Sequence, residues 1–145
     1  MNEILDRLKK IYWSMIVLLV GLVLLIEFFF MDLMGGAAIS DDANLEFVFQ
    51  SLATLLSLGG LFLALRYFKM GTIERQLLDD PLSKYQPFSI VRLIMLESIV
   101  HIDLFGYLLF VNSSFLWLSL IVATGFFFVY PSKERFLSET GYAEK

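Results

Sequence analysis

Four unbroken apolar runs dictate what this chain can become. They extend over about 11–31, 45–68, 88–111 and 114–130. A hydrocarbon core of about 30 Å takes roughly 20 residues of helix to cross, so each run is long enough or nearly so. The fourth is the shortest, and it spans best if Asn112 to Ser114 form a tight turn. The runs are continuous and do not alternate, which argues against barrel strands. The expected fold is an all-α integral membrane protein, a bundle of four transmembrane helices.

Composition agrees. Of 145 residues, 58% are hydrophobic and 18% charged, against about 45–50% and about 25% in an ordinary soluble domain. So short a soluble chain could not bury that much apolar surface. A soluble enzyme and a disordered tail are excluded, and with no cysteine so is a disulfide scaffold. The net charge of −4 speaks against a nucleic-acid partner, which leaves the lipid bilayer as the first partner. The first run is too long for a signal peptide and carries Glu27 near its end. No Pro- or Ser-rich linker divides the chain, so residues 1–145 read as a single membrane domain.

The basic residues give an orientation. Arg7, Lys9 and Lys10 precede the first span; Arg66, Lys69, Arg75, Lys84 and Arg92 lie in or beside the second connection; Lys133, Arg135 and Lys145 follow the fourth span. These are all 11 Lys and Arg residues, and the other two connections have none. By the positive-inside rule both termini are cytoplasmic, in an inner or plasma type of membrane. Tyr12, Trp13, Tyr67, Tyr85 and Tyr130 then fall at the inner interface and Trp117 at the outer one. The cytoplasmic connection, 69–87, has room for one short amphipathic helix ending at Pro81. In the cytoplasmic tail, 131–145, Phe136 and Leu137 are expected to rest on the membrane surface.

Ionisable residues inside a span are rare and invite a functional reading. The third span holds Arg92, Glu97, His101 and Asp103. Glu97 and His101 flank its midpoint near Ile99 and share a face, about 6 Å apart along the axis. Asp103 lies about 160° around from His101 at 100° per residue, facing a different neighbour. Arg92, near the cytoplasmic boundary, is expected to snorkel out. The span's 15 Leu, Ile, Val and Phe residues contribute about −5 to −9 kcal/mol to insertion. Glu97 and Asp103 alone would return about 5–7 kcal/mol of that if charged near the centre. The third helix therefore belongs at a protein interface.

The second span offers a matching stripe, Glu46, Gln50, Thr54 and Ser57. Overlapping it is a small-residue stripe suited to close packing, Ala53, Ser57, Gly60 and Ala64. Together with Glu27, the outer residues Glu46, Gln50, His101 and Asp103 suggest an acid-rich cavity opening outward. The plainer reading of Glu97 and His101 is interhelical hydrogen bonding; the sharper one is a proton or cation pathway. One histidine among carboxylates is a thin ligand set, so no metal and no cofactor are expected. There is no P-loop, dinucleotide fingerprint, His-Glu-x-x-His pair or nucleophile elbow, and the chain reads as no enzyme.

Three functions stay open. The first is a small accessory or assembly subunit that packs its polar third helix on partner helices. The second is a proton- or cation-coupled carrier or channel using Glu97 and His101. The third is a quinone- or haem-binding anchor. At this size a homo-oligomer or a place among other membrane subunits is expected. Four short spans are similar in architecture to small multidrug exporters and to the membrane anchors of respiratory enzymes. That likeness carries no residue over.

Overall fold

The computed structural model describes residues 1–33, 35 and 37–143, and among them there is no strand. Helix α1 (Asn2–Leu25) continues through a π-helical turn (Ile26–Phe30) into a short α2 (Met31–Leu33). Asp42 starts α3 (Ala43–Arg66), its side chain accepting from the backbone N–H of Asn44 and Leu45, which satisfies donors the first helical turn leaves orphaned. A 3-10 turn (Tyr67–Lys69) leads to the amphipathic α4 (Gly71–Asp79). Asp80 caps α5 (Pro81–Phe110), where Pro81 opens the helix at a position that needs no N–H donor.

The chain reverses between α5 and α6 (Ser113–Phe128) through two residues. Val111 adopts a left-handed backbone, φ 51°, and Asn112 caps α6 by accepting from the Ser114 N–H. Helix α7 (Lys133–Thr140) follows Pro131 and is bent 83° from α6. Three helical stretches, Asn2–Phe30, Ala43–Asp79 and Pro81–Phe110, are long and apolar enough to cross a membrane; a fourth qualifies if α6 and α7 are counted as one bent span. This is the architecture of a multi-pass membrane protein. At 16 residues, α6 measures about 24 Å and is short for a span.

Helix α5 is the hub, packing against α6, α3 and α1 and, near its start, against α4 and α7. Glycines set the spacing of these contacts. A Cβ on Gly106 would lie 2.7 Å from the Phe115 ring and 2.8 Å from Phe49; Gly60 leaves room for Ile99, and Gly125 for Leu61 and Leu96. The buried residues of α3 are Ala53, Ser57, Gly60 and Ala64, the small-residue stripe that lets α3 approach α5 closely.

There are two cores. The larger lies between α1, α3, α5 and α6, around Leu96, Val100, Leu104 and Val122. The second forms a cap at the end of the bundle where the basic residues collect. It joins Leu5 and Leu8 of α1, Phe68, Leu77 of α4, Tyr85 of α5 and Phe136 of α7. This cap corrects two sequence expectations. Phe136 does not rest on a membrane surface but is fully buried, and Arg92 does not snorkel to water but is 1% exposed. Helix α7 folds back over the start of α5, covering Arg92 and burying its own Phe136.

Candidate functional site

The polar residues of α5 form three levels. At the basic end Arg92 is enclosed, with its guanidinium 3.9 Å from the centroid of the Phe68 ring. Its two terminal nitrogens face the Glu139 carboxylate of α7, at 2.9 and 3.5 Å. The Tyr85 hydroxyl donates to the same carboxylate at 3.3 Å, and Arg135 approaches it at 3.5 Å. A planar cation stacked on an aromatic face and forked onto a carboxylate uses what distinguishes Arg from Lys. Two buried atoms here, Arg92 Nε and Ser89 Oγ, have no hydrogen-bond partner among the described residues. Sequence reading missed this cluster. Tyr85, Ser89 and Arg92 do share a helical face, but Glu139 lies 47 residues beyond Arg92, with no spacing rule to link them.

Halfway along α5 the polar groups part company. Asp103 points into the bundle, fully buried, and the Ser57 hydroxyl of α3 donates to its carboxylate, lying 3.0 and 2.8 Å from the two oxygens. Glu97 is half-buried and His101 exposed on the opposite side. Their side chains do not bond to each other. His101 Nδ1 instead donates to the backbone carbonyl of Glu97 at 2.7 Å, since a carbonyl oxygen can only accept. The ring held this way leaves Nε2 as its other polar atom. Among the described residues the Glu97 carboxylate meets no donor.

At the acidic end the Asn112 side-chain amide donates to Glu46 at 2.7 Å and reaches Gln50 at 3.5 Å, tying α3 to the reversal between α5 and α6. Thr54 bonds its own helix at the Gln50 carbonyl. Glu27 sits in the π-helical turn, beside the Tyr107 phenol, and among the described residues one of its carboxylate oxygens is buried without a donor. The outward acid-rich cavity expected from the sequence is therefore not a single chamber. Glu46 and Gln50 come together, whereas Asp103 is enclosed with Ser57, Glu27 adjoins Tyr107, and His101 faces away.

Cavities lie elsewhere. An open hollow of about 500 Å³ runs along α3 past Gln50 and Thr54. Apolar clefts of about 380 and 270 Å³ separate α1 from α6. A polar recess of about 310 Å³ beside the cap is lined by Lys69, Glu74, Ser138 and Glu139. None of the four includes Glu97, His101 or Asp103 in its lining. Among the described residues no three His, Asp or Glu side chains gather as metal ligands. No family model, curated protein or solved structure matches this chain.

Proposed function

We propose that the chain is a four-span bundle of a cytoplasmic-type membrane with both termini inside, and that it is a small non-enzymatic accessory or assembly subunit. Its working surface is the outward face of α5, laid against helices of a larger membrane complex. The observation that carries this reading is the division of the mid-helix polar groups. Asp103 is satisfied inside by Ser57, while Glu97 and His101 face out where the bilayer centre would lie. An acidic side chain at the centre of a lipid-facing helix costs about 2.5–3.5 kcal/mol. A covering protein surface removes much of that cost.

The carrier alternative requires copies to associate so that these outward faces line a shared path, because within one chain Asp103 is closed off. The quinone or haem alternative rests on His101 alone. Native mass measurement after gentle extraction from the protein's own membrane tests the reading. The expected result is a 16.7 kDa chain in defined stoichiometry with other subunits, and loss of that assembly in Glu97→Leu. Isolated chains only, with wild type and Glu97→Leu behaving alike, overturn it.

A further inference from the structure

Building on that reading, we infer that the partner is a different protein whose transmembrane helix carries a hydrogen-bond donor, an arginine or lysine, at the level of Glu97 and His101. The inference follows from what this face offers. The Glu97 carboxylate accepts and has no donor among the described residues. His101 has its Nδ1–H committed to the Glu97 carbonyl at 2.7 Å, so Nε2 is the ring atom left to face a partner. The carboxylate and that ring nitrogen stand one turn apart, about 6 Å along the axis. The complement of such a face is a helix that brings donors, and a cation satisfies both electrostatics and hydrogen bonding.

A second copy does not fit. Copies sharing one orientation pair across an axis along the membrane normal, so equivalent residues meet at equal depth. Glu97 then opposes Glu97 and His101 opposes His101, like group against like. Nor does another copy bring an arginine or lysine to this level. The basic residue of α5 closest to Glu97 is Arg92, about 7.5 Å nearer the basic end, and its guanidinium is held by Glu139 and Phe68. Arg66 lies at the last turn of α3, at the same end.

Reconstitution with designed helices tests this. The purified chain, labelled with a donor dye, is placed in phosphatidylcholine vesicles with an acceptor-labelled Leu-Ala transmembrane peptide carrying one central Arg, or the same peptide with Leu there. Energy transfer reads association. The expected result is binding of the Arg peptide about tenfold tighter than the Leu peptide, a difference that collapses in Glu97→Gln. Gln keeps the size and the acceptor oxygen but removes the charge. Thermal unfolding of that variant, expected to match wild type, shows that the bundle is intact.

Equal binding of both peptides overturns the inference. So does transfer between two labelled copies of the chain that Glu97→Gln abolishes; that result identifies the face as a self-interface. In either case the accessory reading stands or falls separately, on whether native extraction brings defined partner subunits.

Discussion

Ser57 places one hydroxyl between the two carboxylate oxygens of Asp103, at 3.0 and 2.8 Å, across the interface of α3 and α5. Both residues are fully buried, so the contact replaces water that neither group can reach. Polar contacts between helices of membrane proteins contribute about 0.6–2 kcal/mol. Ser57→Ala is expected to destabilise the bundle by about 1–2 kcal/mol, and to cost little when Asp103 is already Leu. A double-mutant cycle read by thermal unfolding in detergent checks the coupling. Equal losses in both backgrounds would show that Ser57 acts through packing alone.

The Arg92 cluster makes a contrasting prediction. Glu139→Gln leaves a buried guanidinium without its counter-charge and should cost about 3 kcal/mol. Helix α7 should loosen, and trypsin should cut faster at Lys133 and Arg135. Arg92→Met combined with Glu139→Gln removes the charge as well as its partner, and should recover much of the loss. A double variant as unstable as Glu139→Gln alone would rule out charge burial as the cause.

Glycine substitutions should divide by position. Gly106→Ala drives a methyl group into the Phe115 and Phe49 rings and is expected to cost about 1–3 kcal/mol. Gly21 has nothing within 4 Å of where a Cβ would stand, so Gly21→Ala should be neutral or raise stability by up to about 1 kcal/mol. The order of midpoints on heating is the measurement, and a reversal would contradict the packing described for α5.

Val111 holds φ 51° at the reversal between α5 and α6. For a β-branched residue this backbone costs about 1–2 kcal/mol. Val111→Gly should recover about 1 kcal/mol and raise the unfolding midpoint, while Val111→Ile should leave it unchanged. A drop in Val111→Gly would mean that the side chain contributes more than the backbone loses.

The sequence made the helices legible because their signals are local. Apolar runs, the turn at Asn112, Pro81 at the end of the connecting helix and the small residues of α3 all act within a few residues of themselves. Periodicity also set Asp103 apart from His101. What it left open was rotation: nothing local says which side of α5 faces its own bundle. Glu97 and His101 looked like a side-chain pair from their spacing, yet His101 satisfies itself on the backbone. The cap was illegible for a different reason. Arg92 near the end of an apolar run suggests a side chain reaching for water, unless one knows that a distant, mostly polar helix folds over it. Helix α7 carries few apolar residues, and its buried face mixes Phe136 with Thr140 and the Glu139 carboxylate.

That cap draws Leu5 and Leu8 from one end of the chain and Phe136 and Glu139 from the other. A chain emerging from the ribosome can insert its hydrophobic helices one after another, but it cannot complete this core until α7 has been made. Until then Arg92 has no counter-charge and the apolar faces of Leu5, Leu8 and Phe68 stand open. Closing the cap therefore has to wait for α7. A nascent chain halted before Glu139 would carry an incomplete basic end, the state in which quality-control proteases have most to grip.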